Sequence, residues 1–178
     1  NITFSEKLPN TPLHWMIADR DSSIVVEFMK DGMYIFDNYL GVLTNNPPFP
    51  YQLKNLEDYK HLQNNDKNVK RNKISGYSDY STGLGALGLP GDVSSMSRFV
   101  RMVFLSKNSV KPSCENESVG QFFHLLSSVE RVKGAFENEN GEFDITVYSA
   151  CMNMDKGLYY YTTYTNRSIT CVDMHSAN

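Results

Sequence analysis

The chain reads as an α+β fold in which antiparallel sheets are covered by helices. Two groups of short segments rich in β-branched and aromatic residues lie near its ends, at 13–37 and 143–173, and favour strands. Between them, two stretches carry apolar residues at helical spacing. No internal repeat or interdomain linker interrupts the order, so residues 1–178 are read as one domain portion.

Strands are expected over 13–18, 23–28 and 33–37, and Asp31-Gly32 between the last two suits a type I′ hairpin turn. A further strand is expected over 40–44, ending before Pro47-Pro48 because proline lacks the N–H that a ladder requires. Leu53, Leu56, Tyr59 and Leu62 recur every third residue, which predicts a short amphipathic helix within 51–62. Residues 64–81 are polar and aperiodic, a connection long enough to suggest a functional excursion or a subunit contact. Ser94 or Ser95 is placed to cap a helix running to 105. A second helix is expected over 119–129, with Phe122, Phe123, Leu125 and Leu126 on its buried side. Strands then return over 143–152, 158–165 and 168–173, the first two joined by Asp155-Lys156-Gly157.

Composition narrows the function classes. A net charge of -3 lacks the basic footprint that general nucleic-acid binding needs, and Lys67, Lys70, Arg71 and Lys73 read as a solvated loop. No membrane span or signal peptide is visible, and the opening on Asn1 suggests a piece of a longer or processed protein. Cys114, Cys151 and Cys171 are odd in number and lack metal-type spacing, which fits a reducing, cytoplasmic setting without zinc or a disulfide framework. The four histidines form no ligand pattern.

Gly83-Leu84-Gly85-Ala86-Leu87-Gly88 matches GxGxxG, but a polar loop precedes it and Leu89-Pro90-Gly91 interrupts any following helix. The dinucleotide fingerprint needs a strand leading into a helix N-terminus, so these glycines are read as allowing close backbone approach. Asn45 and Arg98 are the stronger candidates. Asn45 ends an apolar run just before Asn46-Pro47-Pro48, and Arg98 stands in the first turn of a helix, where the dipole disfavours a cation and an anion partner would explain it. Each also has an ordinary structural reading, as a strand terminator and a surface cation. Cys114, flanked by Ser113 and Glu115, is a poor internal nucleophile because nearby negative charge raises a thiol's pKa.

Several segments together resemble the choloylglycine hydrolase family of bile salt hydrolases and penicillin V acylases. They are Leu13-His14-Trp15-Met16, Ser23-Ile24-Val25-Val26-Glu27, Gly41-Val42-Leu43-Thr44-Asn45-Asn46-Pro47, Leu89-Pro90-Gly91-Asp92 and Ser97-Arg98-Phe99-Val100-Arg101, with Gly157-Leu158-Tyr159-Tyr160-Tyr161-Thr162-Thr163-Tyr164 similar to the family's closing hairpin. The resemblance implies an N-terminal nucleophile hydrolase, an αββα sandwich of which this chain is the C-terminal portion. Over a hundred residues, including the terminal cysteine nucleophile, are then expected before Asn1, and a short segment after Asn178.

By the same resemblance, Asn45 matches an oxyanion-hole asparagine and Arg98 the arginine beside the nucleophilic sulfur. Phe4 and Leu8 fall at apolar positions of a substrate loop, with packing beneath that loop as the alternative reading. The implied substrate is a glycine- or taurine-conjugated bile salt, with penicillin V the rival. The implied assembly is a homotetramer formed partly through the loop after Leu62, and no cofactor or metal is implied. An inactive fragment or a binding module is the alternative of another class, since residues 1–178 lack the terminal cysteine.

Overall fold

The computed structural model describes residues 13–67, 69 and 81–176. Strands β1 (His14–Ala18), β2 (Ser23–Met29) and β3 (Gly32–Asp37) form one antiparallel sheet in sequence order. Helices α1 (Phe49–Leu56), α2 (Ser95–Asn108) and α3 (Glu115–Ser127) follow, and strands β4 (Tyr148–Asn153), β5 (Leu158–Thr163) and β6 (Thr170–Asp173) form a second antiparallel sheet. The expected α+β class is the observed one.

Register explains how the first sheet is used. With His14 opposite Glu27, Met16 opposite Val25, and Phe36 opposite Val25, these side chains share the face that meets the helices. Val25 there packs with Val42, Phe49, Phe99 and Val103 into a buried cluster, bordered by Phe36, Leu40, Leu53, Leu56 and Met102. Phe49 lies between Phe36 and Phe99, at 6.1 Å from each ring centroid. Burying rings of this size contributes about 1.5–3 kcal/mol apiece, so α1 and α2 are fixed on the sheet mainly through Phe49 and Phe99. The opposite face presents Trp15, Ile17, Ile24, Val26, Phe28, Met33 and Ile35, the last 58% exposed.

One polar group belongs to this interface. Glu27 is buried on the helix-facing side, and both of its carboxylate oxygens accept from the Phe49 N–H, at 2.9 and 3.1 Å. The first N–H groups of a helix have no intrahelical partner, so a carboxylate here satisfies a donor and meets the positive end of α1. His14 Nδ1 lies 3.3 Å from the same carboxylate.

Four expectations are corrected. The hairpin between β2 and β3 forms, but Met29 pairs with Gly32, so the turn centres on Lys30 and Asp31. Neither has positive φ, which rules out type I′; Gly32, at φ 143°, takes the conformation that only glycine adopts easily. Residues 40–44 form no strand; side chains meet part of their backbone instead, with Asn38 Nδ2 donating to the Val42 carbonyl at 3.2 Å. Helix α3 begins at Glu115 rather than 119, with Glu115 and Glu117 in its first turn, and Phe122 is exposed while Phe123 is buried. Residues 143–147 precede β4 as irregular chain, apart from a bridge between Glu137 and Phe143.

The helices link the sheets. Arg101 of α2 donates through Nε to the Ser128 carbonyl just after α3 at 2.8 Å. Glu115, opening α3, accepts from Asn153 Nδ2 at 2.6 Å and from the Tyr160 hydroxyl at 3.1 Å, and pairs with Lys156. The glycine-rich segment is a 3-10 turn over Leu84–Ala86. The N–H groups of Gly83 and Gly85 donate to the Asp66 carboxylate at 2.8 and 2.7 Å, and a Cβ on Gly85 would stand 2.0 Å from the Asn65 carbonyl oxygen. Those amides serve the protein's own carboxylate, and Gly85 is required for close backbone approach, as the sequence suggested.

Candidate active site

Asn45 and Arg98, 53 residues apart in sequence, are hydrogen-bonded: Arg98 Nη2 donates to Asn45 Oδ1 at 2.6 Å. Arg98 enters from α2, whose N-cap is Ser94, with the Ser94 hydroxyl accepting from the Ser97 N–H at 3.3 Å. Asp92 anchors the approach to this helix, accepting from the Ser97 hydroxyl at 2.6 Å and the Ser94 N–H at 2.9 Å. The Ser94 and Ser97 hydrogen bonds hold its carboxyl down at about 2.

The guanidinium is fixed at two points and open at a third. Its Nε donates to the Val93 carbonyl at 3.1 Å and its Nη2 to Asn45, while Nη1 makes no hydrogen bond to a described residue. Arg131 donates to the same Val93 carbonyl at 3.3 Å and pairs with Asp144. Arg101 bonds the Pro90 and Asp92 carbonyls. Three guanidiniums thus brace the 90–93 turn. Burial first, then the charges of Arg131 and Arg101, lower the pKa of Arg98, and an arginine stays protonated through such a shift.

Because a guanidinium can only donate, the amide of Asn45 must present its oxygen to Arg98. Its Nδ2 therefore faces away, an N–H donor with no protein hydrogen-bond partner among the described residues and exposed to solvent. The Asn45 backbone is also held: its carbonyl accepts from the Ser95 hydroxyl at 2.8 Å and from Gln52 Nε2 at 3.2 Å. The Asn46–Pro47 peptide bond beside it is cis. Chemically, the pair offers a fixed cation next to an oriented N–H donor, a combination suited to an anionic nucleophile and a developing oxyanion.

The three cysteines stand outside this hydrogen-bond network. Cys114 caps α3, and Cys151 and Cys171 face Tyr160 from β4 and β6. Burial raises the Cys151 thiol, which makes it a weaker nucleophile. Phe4 and Leu8 lie outside the described residues, as does most of the polar segment after Leu62. Among the described residues no His/Cys/Asp/Glu cluster could hold a metal, and no helix is long and apolar enough to cross a membrane.

A family model for linear amide C–N hydrolases of the choloylglycine hydrolase family matches residues 2–178. The chain belongs to the choloylglycine hydrolase family. It is 51% identical over 175 residues to a bile salt hydrolase/transferase of Lactiplantibacillus plantarum, covering 98% of this chain and 54% of that relative. It is 40% identical over 179 residues to a bile salt hydrolase/transferase of Clostridium perfringens, again covering 54% of the relative. A crystal structure of a conjugated bile acid hydrolase from Clostridium perfringens superposes with a TM-score of 0.83 at 41% identity, covering 98% of this chain and 53% of that one. Penicillin V acylase from Agrobacterium tumefaciens superposes at 0.65 with 20% identity, covering 87% and 43%, which shows the shared fold alone. The chain spans about half the length of the curated relatives it matches, and its fold is that of the N-terminal nucleophile hydrolases.

Sequence reasoning paired Asn45 with Arg98 but missed the roles of Gln52 and Ser95, which hold the Asn45 carbonyl, and of Arg101 and Arg131, which brace the adjoining 90–93 turn. A signal existed for the first. Phe49, Gln52, Leu53 and Leu56 follow the i, i+3, i+4, i+7 spacing of one helix face, and a glutamine on an otherwise apolar stripe marks a buried amide with a task.

Proposed function

We propose that this chain supplies part of a bile salt hydrolase-like amidase that cleaves glycine- or taurine-conjugated bile salts. The observation that carries the reading is the 2.6 Å bond from Arg98 to Asn45, because it turns the carboxamide so that its N–H faces outward beside a permanent cation. The nucleophile in this proposal is a terminal cysteine in the portion of the protein outside residues 1–178.

The thiolate, favoured by the Arg98 charge, attacks the amide carbonyl carbon. Negative charge moves to the carbonyl oxygen, which accepts from Asn45 Nδ2, an interaction stronger in the tetrahedral intermediate than in the substrate. The cysteine's own α-amino group carries a proton to the departing nitrogen, glycine or taurine leaves, and water attacks the thioester to release the bile acid. Phe4 and Leu8 contribute apolar wall to the steroid in this reading. Residues 1–178 alone are inactive in it, and the rest of the protein covers the apolar face of the first sheet. The complete protein is proposed to work in the cytoplasm as a homotetramer.

The bile salt reading is preferred to penicillin V acylase because the bile salt hydrolases named above match at 51% and 40% identity, against 20% for the acylase structure. The test is amino-acid release by the full-length protein from glycocholate and taurocholate, beside phenoxyacetate release from penicillin V. Faster turnover of a bile salt is expected. No release from either bile salt would defeat the proposal.

A further inference from the structure

We propose that Gln52 is a positioning residue for Asn45, acting with Ser95 as a clamp on its backbone carbonyl. This inference rests on the reading of Asn45 as an oxyanion donor. Gln52 is fully buried on α1, yet its Nε2 points out of the helix towards the turn, reaching the Asn45 carbonyl at 3.2 Å, the Pro47 carbonyl at 3.4 Å and Ser95 Oγ at 3.2 Å. Two of these acceptors are carbonyls, so the amide must present its nitrogen to them. Ser95 completes the clamp from α2, donating to the Asn45 carbonyl at 2.8 Å, while Thr44 Oγ1 donates to the Ser95 carbonyl at 3.1 Å.

The other end of the same side chain shows what this arrangement costs. Gln52 Oε1 is buried with no hydrogen-bond partner among the described residues. A buried acceptor left unpaired destabilises a fold, and an apolar side chain of similar volume would remove that penalty. A glutamine in this place is therefore explained better by its bonds to residues 45–47 than by packing. Those bonds matter because residues 40–44 form no strand, so no ladder holds the segment that carries Asn45. Arg98 turns the carboxamide from its tip, and Gln52 with Ser95 holds the backbone from which it hangs.

The experiment uses the full-length protein and the volume-conserving variant Gln52→Met. With glycocholate, kcat is expected to fall at least about tenfold, since small misplacements of a reacting group carry penalties of this order, while KM stays within about threefold. The melting temperature should be unchanged or raised. Ser95→Ala should give a smaller fall in kcat, and Gln52→Met should have no further effect in an Asn45→Ala background. Unchanged kcat, or kcat and melting temperature falling together, would overturn the proposal. A second readout separates it from the functional reading: the side-chain amide signal of Asn45 in ¹⁵N-resolved NMR, assigned by its loss in Asn45→Ala. If the unmutated protein releases no amino acid, that reading fails by itself. The Asn45 signal should still shift or broaden in Gln52→Met, and an unaltered signal would refute the clamp.

Discussion

Replacing Asn45 separates its contribution to chemistry from its contribution to the fold. Its side chain is exposed, and its one hydrogen bond among the described residues is the one Oδ1 accepts from Arg98. Its backbone carbonyl keeps Ser95 and Gln52 whatever the side chain is. Asn45→Ala should therefore change stability by about 1 kcal/mol or less, the worth of one exposed hydrogen bond. On the proposed function it removes an oxyanion donor from the full-length protein, worth about 2.7–4 kcal/mol of transition-state stabilisation, so kcat on glycocholate should fall about 10²–10³-fold. Asn45→Asp sharpens the test. A carboxylate keeps an acceptor for Arg98 and strengthens that contact, but it cannot donate and it brings negative charge to the place where the oxyanion forms. Its kcat should fall at least as far as that of Asn45→Ala, with the fold intact by melting temperature and circular dichroism. If Asn45→Asp retained activity within about threefold of the parent, the amide would not be the donor, and the reasoning from the Arg98 contact would be wrong.

Two further predictions concern the frame. Glu27→Gln removes a buried carboxylate from the N-terminus of α1 and should lower stability by about 1–3 kcal/mol in urea unfolding, whereas a change within about 0.3 kcal/mol would show that the contact to Phe49 contributes little. Asp92 has a folded pKa of about 2, below its ordinary value of 3.8, so its stabilising contribution is fully present above about pH 4 and is lost as pH falls through 2. Carboxyl titration by NMR should place its midpoint near 2, and in Asp92→Asn the corresponding fall in stability between pH 4 and 2 should disappear; an ordinary midpoint would count against the Ser94 and Ser97 anchors.

Much of the frame was legible because it rests on local rules. Richness in β-branched and aromatic residues marked β1 to β3, and the serine pair marked the start of α2, where Ser94 is the N-cap. What escaped was set by tertiary partners. The apolar run 40–44 has a strand's composition, but its side chains Val42 and Leu43 pack into or against the core cluster while Asn38 takes up a backbone carbonyl. The turn residue at Gly32 was recognised, yet its place in the hairpin depended on which pair closes the ladder. Phe122 and Phe123 are equal in hydrophobicity, and only the packing of α3 in the fold decides which is buried. Asn45 and Arg98 stood out by their local positions and took their roles from the resemblance, whereas their 2.6 Å contact and the clamp from Gln52 and Ser95 depend on how α1 and α2 pack.

The most direct test is to locate the acyl group. Full-length protein quenched during glycocholate turnover should carry a cholyl thioester, and peptide mass spectrometry should find it on a cysteine outside residues 1–178, with Cys114, Cys151 and Cys171 unmodified. A thioester on any of those three, or turnover that survives loss of every cysteine, would contradict the account.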